Sequence, residues 1–468
     1  MRILITVHGL PPELRGGTEH AVESLAHALA DRGHEVTLLA GSDRHAGRWH
    51  EEESQLPRPG AARGAPGLRV VRLQRDDLYY LHWQKALHPG VSAAFRALLL
   101  RERPDVVHVN HWLRLSRDLV ATAAETGVPA VVTLHDMAST CLVHQRVRPD
   151  TREVCDVPLG PDPCLACAAA LPPRTPWRAR DELVAEVLRH RAEMQRELLL
   201  ARAVVVLSVD QARVLRPHVP PVPLHVVPPP DDDRLARRPP LPPPAEHGRL
   251  VMTNWSGLHP LKGADLLVDA LARLHGEGRA VELKLAGSDC DARAAGDLRA
   301  RARGLPVTFL GPFDAAALQG GPVGEAHVFA GASFARETWG LVADEAAALG
   351  LPLVLPRRGA PAERYGEDRG ALLYEAGDVE ALAAALRRLL DEPGLLAALR
   401  ARLPARGALR PAPDAVARSM LSLYEEAVAL GPPPVPPRAP DGPAQDLAAL
   451  RRWDLELARC TPAELGFG

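Results

Sequence analysis

Glu337-Thr338-Trp339-Gly340-Leu341-Val342-Ala343-Asp344-Glu345 begins in a loop and ends about one turn into a helix. An apolar run at His327–Phe329 precedes it, and Gly350-Leu351-Pro352-Leu353-Val354 follows. The reading is strand, loop, a helix over Leu341–Leu349, then a second strand over Pro352–Leu355. Such a βαβ unit fixes two parallel strands in one sheet. The glycine at 340 sits where the loop turns into the helix, and the two glutamates eight apart bracket that turn.

The same alternation runs outward in both directions. Upstream in this half, strands are expected at Leu250–Thr253, Glu282–Ala286 and Val307–Leu310, with a helix at Gly263–His275; downstream come a strand at Ala371–Leu373 and a helix at Val379–Leu390. The first half repeats it. Its strands are Ile3–Val7, Glu35–Leu39, Arg69–Leu73, Val106–Val109, Ala130–Leu134, Ala203–Leu207 and Leu224–Val227, and its helices include Glu19–Arg32, Val91–Arg103 and Asp181–Arg202. Pro228–Pro244 carries 8 prolines in 17 residues and cannot be a helix interior or central strand. The expected organisation is therefore α/β, with two Rossmann-like doubly wound domains facing a central cleft. The first spans 1–230 and the second 248–430, joined by a proline-rich linker over 231–247. A second such linker, 431–443, leads to a C-terminal helix within 444–468, read as crossing back to the first domain.

Composition narrows the function. The chain has 468 residues, 56 Lys+Arg against 58 Asp+Glu and a formal charge of −2, which argues against a nucleic-acid binder. No apolar run reaches the roughly 18 residues of a membrane span. The opening Met1-Arg2-Ile3-Leu4-Ile5-Thr6-Val7 is too short for a secretory h-region, so a cytoplasmic location is expected. Only Lys85, Lys262 and Lys284 are lysine, so at least one marks a site that wants a compact ammonium, and at least one is an ordinary surface residue.

Lys262 ends Asn254-Trp255-Ser256-Gly257-Leu258-His259-Pro260-Leu261-Lys262-Gly263, which leaves a strand and enters a helix. Helix starts disfavour cations, so a lysine there suits a phosphate, although a solvated lysine is the plain alternative. Gly16-Gly17-Thr18-Glu19 likewise opens a helix after the first strand, and its glycines allow close backbone approach to an anion or simply form a turn. Glu337 and Glu345 span too much chain for a glycosidase pair at roughly 5–10 Å and suit the two ends of an elongated ligand; a solvated helix face is the alternative reading.

In this combination the chain resembles the retaining GT-B glycosyltransferases of family 4 from Met1 to about Leu430. Glu337 through Glu345 matches the family's E-x7-E signature. Lys262-Gly263 falls at its phosphate-binding lysine, Gly16-Gly17 at its N-terminal glycine loop and Leu134-His135-Asp136 at its strand-end His-Asp. Gly359 with Glu363 is similar to its glycine-rich loop, and Gly377-Asp378 to the turn before its next helix. The resemblance implies transfer of a sugar from a nucleotide-diphosphate donor, UDP- or GDP-linked, to a sugar, glycan, lipid-linked or small-molecule hydroxyl, with no cofactor required for the chemistry. It implies Glu337 on the donor sugar, Glu345 on the ribose, Lys262 with Gly16 and Gly17 on the diphosphate, His135 near the sugar, and Gly340 and Leu341 at the donor. Three departures stand out: Gly257 replaces the usual arginine five residues before the lysine, Pro228-Pro229-Pro230 the usual Pro-Asn-Gly, and a lone Gly359 the usual glycine pair. They leave a non-catalytic sugar-nucleotide-binding subunit, or a GT-B phosphorylase or epimerase, as alternatives.

Cys141, Cys155, Cys164 and Cys167 lie within 27 residues in an insertion at about 137–180. A C-x2-C knuckle among four thiols points to structural zinc, with an iron–sulfur cluster or unrelated buried thiols as alternatives. Trp177-Arg178-Ala179-Arg180 and the arginine-rich helix after it suit peripheral contact with an anionic membrane at the inner face, or a solvated helix face. His108, Asn110 and His111 end a strand of the first domain, where they face an acceptor or pack in the core.

Overall fold

The structure is a computed structural model that describes residues 1–44, 48–58, 67–169, 171–231, 248–290, 292–313, 325–405, 408, 410–435 and 442–467, with the side chains of 442–444 left out. Most of the expected 231–247 linker and part of 431–443 lie outside the described residues.

Two compact units emerge. Unit 1 takes Met1–Arg146, Asp156–Pro230 and Ala412–Gly468; unit 2 takes Val147–Cys155 and Asp231–Pro411.

Unit 1 is built on an eight-stranded sheet of β1 (Arg2–Val7), β2 (Glu35–Gly41), β3 (His50–Leu56), β4 (Leu68–Gln74), β5 (Val106–Val109), β6 (Ala130–Leu134), β7 (Ala203–Val206) and β8 (Leu224–Val226), in the order β3-β4-β2-β1-β5-β6-β7-β8. All pairs are parallel except β3 with β4. Central strands such as Val106–Val109 and Ala203–Val206 are buried along their whole length, as sheets covered on both faces require. β3 was not anticipated, because His50-Glu51-Glu52-Glu53 reads as a charged loop. It is an edge strand: its acids point outward, and Glu53 pairs with Arg69 at 2.9 Å across the ladder. Charge on such an edge discourages pairing with another chain.

Unit 2 carries six parallel strands: β9 (Leu250–Trp255), β10 (Val281–Ala286), β11 (Val307–Gly311), β12 (Val328–Ala330), β13 (Leu353–Pro356) and β14 (Ala371–Tyr374), in the order β11-β10-β9-β12-β13-β14. Renumbered within the unit, this is the 3-2-1-4-5-6 order of dinucleotide-binding sheets, with its topological switch between β9 and β12. In unit 1 the corresponding reversal falls between β1 and β5. Ligands of such sheets sit outside the carboxyl ends of the strands at that point.

The domain boundaries differ from expectation in two places. The helix Pro413–Leu430, assigned by sequence to 248–430, belongs to unit 1. Val416, Ala417, Met420 and Tyr424 bury against Ile3, Val7, Val22 and Leu29, so its apolar face completes that core. Tyr424 Oη lies 2.7 Å from His108 Nδ1, and His108 Nε2 lies 2.7 Å from Thr133 Oγ1. Conversely, Val147–Cys155 counts with unit 2, where Val147 joins the core and Arg152 pairs with Asp265 at 2.6 Å and lies 4.6 Å over the Phe334 ring.

The C-terminal helix Gly442–Arg459 lies in unit 1, with Trp453 and Leu457 clustered around Leu465 and Leu78. Lys85 is fully buried, bonded to Asp454 and 4.9 Å from the Trp453 ring. Lys284 is buried too and pairs with Glu325 at 3.0 Å. Neither is the ordinary surface lysine the composition suggested. Arg178 is spent on Glu186, Glu182 and the Trp453 ring. Among the described residues, no helix is long and apolar enough to cross a membrane.

Replacing Tyr424 by Phe leaves the buried His108 Nδ1 unmet and should cost about 1–3 kcal/mol in urea unfolding. Val428→Ala on the same helix, at a residue 40% exposed, should stay within about 0.5 kcal/mol. Equal effects of the two would refute this account of how the helix is anchored.

Candidate active site

At the switch point of unit 2, β9 and β12 end side by side. Asn254 Nδ2 donates to Ala330 O at 2.8 Å and ties the two ends together. Beyond β9, His259 Nδ1 accepts from Leu261 N at 3.1 Å and caps the short turn Pro260–Lys262. Gly263 follows at φ 71°, where an added Cβ would lie 2.0 Å from Ala332 O. Only glycine lets the chain turn so close to the β12 loop.

That turn brings Lys262 to Glu337. Nζ donates to Glu337 Oε1 at 2.6 Å, and Ser333 Oγ donates to the same oxygen at 2.8 Å. Burial would raise the Glu337 carboxyl, but the Lys262 charge and these two bonds outweigh it and hold the group below the usual carboxylate range. Glu345 is tied elsewhere: its Oε2 accepts from Trp255 Nε1 at 2.8 Å, at the end of β9. The two glutamates are thus fixed by different partners, Glu337 through Lys262 and Glu345 through Trp255. Between them, Gly340 at φ 81° starts the helix Leu341–Ala348.

The loop after β13 completes the site. Gly359 has φ 73°, and a Cβ there would meet Glu337 N at 2.8 Å and Glu337 O at 2.9 Å; Ala360 N donates to Glu337 O at 2.9 Å. The single glycine is therefore the position where the backbone of Glu337 leaves no room for a side chain. Gly257 has Cys290 Sγ 2.8 Å from its Cβ position, so an arginine there would have to displace the thiol.

Sequence reasoning missed Asp344. It is 1% exposed and accepts from Trp339 Nε1 at 2.7 Å, Tyr365 O–H at 2.7 Å and Arg364, whose guanidinium lies 3.9 Å from the Trp339 ring centre. This network clamps the Trp339-Gly340 turn. The only sequence signal is an acid in a helix's first turn, which helices favour anyway.

Unit 1 gathers histidines at its own switch point. His8 follows β1, and its Nε2 lies 2.8 Å from Glu19 Oε1, on the helix opened by Gly16 and Gly17. His8 and His111 rings sit 4.7 Å apart. His111 Nδ1 accepts from Leu113 N at 2.9 Å, so its proton is on Nε2 and is donated to Asp136 Oδ2 at 3.1 Å. His144 Nδ1 lies 3.5 Å from the same oxygen. His135, at the end of β6, has Nε2 2.9 Å from Asn110 Oδ1. Burial, then the neighbouring His111 and His8, push His135 down to about 3.

Cys141, Cys155, Cys164 and Cys167, the residues expected to hold zinc, are all thiols of intermediate burial. Among the described residues, the groups whose ligand atoms lie within 4.8 Å of one another are His111-Asp136-His144 and Asp76-Asp77-His88, without a cysteine. Cys155 falls in the segment that counts with unit 2, and Cys141 packs in the unit 1 core, where burial pushes its thiol up. The insertion has another source of stability. Trp83, Leu142, Leu159, Ala168 and Val187 form a small core, with Cys164 packed against it. Arg146, 1% exposed, donates to Thr140 O at 3.1 Å and Val157 O at 2.9 Å.

Residues 15–234 match Glycosyltransferase Family 4, and residues 250–392 match Glycosyl transferases group 1. The D-inositol 3-phosphate glycosyltransferase of Xylanimonas cellulosilytica is 30% identical over 88% of this chain and 92% of that one. The chain belongs to the family 4 glycosyltransferases. A GDP-mannose-dependent alpha-(1-6)-phosphatidylinositol dimannoside mannosyltransferase of Mycobacterium tuberculosis is 28% identical over 81% of this chain and 85% of its own length. The match to glycogen synthase of that species, 30% identical, covers only 29% of this chain and 33% of the synthase. Among solved structures, sucrose-phosphate synthase of Thermosynechococcus elongatus superposes with TM-score 0.63 at 21% identity over 92% of this chain and 99% of that one. Anabaena HepE, solved with UDP and glucose, gives 0.59 at 17% identity over 91% and 99%. These likenesses establish the GT-B fold of the family 4 chain.

Burial also depresses His82 and His108 to about 3, and His88 to about 4, from an ordinary 6.5. The unfolded chain takes up these protons first. Stability is therefore full above pH 6.5 and is lost as pH falls from there toward the folded values, by about 1.4 kcal/mol per pH unit for each imidazole. The urea midpoint should drop between pH 7 and 5, less steeply in His135→Asn than in the parent. A flat profile over that interval would contradict the neutral burial of these rings.

Proposed function

We propose that this chain transfers a glycosyl group from a nucleotide-diphosphate sugar to an acceptor hydroxyl with retention of anomeric configuration. The observation that carries the reading is the Lys262–Glu337 pair beside the helix start at Gly340, at the carboxyl ends of β9 and β12.

Lys262 is bonded to Glu337, and the side chains are 36% and 25% exposed. A diphosphate offers that ammonium a doubly charged partner and releases Glu337 Oε1 to accept hydroxyls of the donor sugar. The N–H groups at Leu341 add positive potential from the helix start. Glu345, oriented by Trp255, is assigned the ribose; Gly16 and Gly17 are assigned to the diphosphate and His135 to the sugar. The C1–O bond to the diphosphate breaks and its electron pair leaves with the phosphate. The acceptor oxygen then bonds C1 on the same face, and its proton goes to a phosphate oxygen. Fixed positive charge at the leaving group is the main source of rate. The names of relatives favour GDP- and UDP-linked donors.

A second reading, donor binding without transfer, is favoured by Gly257, which brings no second cation to the diphosphate.

A panel of UDP-, GDP-, ADP- and TDP-sugars separates the readings. Transfer predicts nucleotide release with at least one donor, reduced about 100–1000-fold in Lys262→Ala and strongly in Glu337→Ala. Saturable binding with no release on any acceptor would establish the non-catalytic reading. Nuclear magnetic resonance of the fresh product should show the donor's anomeric configuration, and inversion would overturn retention.

A further inference from the structure

One pocket of unit 1 has no part in the roles assigned so far. Arg75, Arg114, Arg117, His144, His190 and Trp112 help line it, beside the loop that leaves β5. Two of its guanidiniums are neutralised. Arg75 donates to both oxygens of Asp77 at 2.8 and 2.7 Å, and Arg117 is bonded to Glu193. The nearby acids are spent as well: Asp136 on His111 and Ala138 N, and Glu197 on Trp112 Nε1, Val120 N and Ala121 N.

Two donors are left over. Arg117 Nη1 donates to His190 Nδ1 at 3.0 Å, so the neutral ring of His190 carries its proton on Nε2. His190 is 5% exposed, and that N–H is buried with no partner among the described residues. Arg114 Nε is buried and unmet in the same way. Buried donors without acceptors are rare in native proteins and mark a missing partner. A water could satisfy either N–H; the Arg114 charge acts on Tyr80 and on Glu19, whose carboxylate His8 already holds at 2.8 Å.

We propose that this pocket receives a phosphate monoester carried by the acceptor. Such a group brings only acceptor oxygens and negative charge, and it fits the planar donor fork of an arginine. Its place beside the β1–β5 switch point sets the rest of the acceptor at the carboxyl ends of those strands. The word acceptor rests on the transfer reading above; binding of the ester does not.

The test is calorimetric titration of the full chain with D-inositol 3-phosphate, glucose 6-phosphate and inorganic phosphate, with inositol and glucose as neutral controls. At least one ester should bind, with its neutral counterpart about tenfold weaker or more. Arg114→Gln should weaken the ester by about tenfold or more, Arg114→Lys should recover only part of that loss, and Lys262→Ala should change nothing. His190→Phe should weaken it independently. Vesicles of phosphatidic acid form a separate arm: binding tighter than to the soluble esters, and lost in Arg114→Gln, places the monoester on a lipid. No ester binding, equal binding of the neutral sugars, insensitivity to Arg114→Gln, or loss in Lys262→Ala instead would each overturn the proposal. Nucleotide release is measured separately, so its absence alongside intact ester binding would sink the transfer reading alone.

Discussion

Parallel strand direction is the constraint from which the rest of unit 2 follows. Because all six strands of its sheet point the same way, the loops after β9, β12 and β13 emerge on one edge. Three glycines then let those loops touch: Gly263 against Ala332, Gly340 against Pro361 and Gly359 against Glu337. Each has positive φ, and each would place a Cβ within 2.8 Å of a neighbouring atom. A side chain at any of them would push apart the turns that carry Lys262, Glu337 and the helix start. Glycine here costs conformational entropy and returns precise placement of charge.

The charge so placed is held lightly. Both partners of the Lys262–Glu337 pair are about a quarter to a third exposed, where such pairs contribute about 0–1 kcal/mol. A strong buried pair would resist exchange, because breaking it would strand a charge in low dielectric. The part-buried Lys262–Glu337 pair is cheaper to break than such a pair would be. Asp344 differs: it is 1% exposed and holds Trp339, Tyr365 and Arg364 at once. The lightly held pair and the buried network thus flank the same Gly340 turn.

The parallel strands of both sheets were legible because buried parallel strands are short β-branched runs between helical periods. The described ends agree to within two residues, as in Val106–Val109 and Ala371–Tyr374. β3 was not legible, since an edge strand can be as polar as a loop and its pairing is decided by β4 rather than by its own residues. The helix Pro413–Leu430 read correctly as a helix, yet nothing local says which core takes its apolar face; Tyr424 finds His108 from 316 residues away. Lys262, Glu337 and Glu345 were legible through order and spacing. Asp344 was not, because its meaning lies in Arg364 and Tyr365, which no periodicity links to it. The insertion's packing was not legible either: thiols 14, 9 and 3 residues apart drew the reading, while Arg146 and the cluster around Trp83, which organise the segment, carry no spacing signal.

The two switch points solve opposite electrostatic problems. In unit 2, Lys262 beside Glu337 holds that carboxyl below the usual carboxylate range. In unit 1, His108 and His135 are stripped of charge by burial, and the residual acids there are paired with imidazoles. A neutral ring can donate and accept without attracting a counter-ion, so it suits hydroxyls, which carry no charge to recognise. Arg114 acts on Glu19, but that carboxylate is already held by His8 at 2.8 Å. A guanidinium left in that position discriminates: it gains a bond with an anionic group and leaves a neutral sugar facing an unsatisfied donor, which is how a site rejects an analogue that lacks the recognised group.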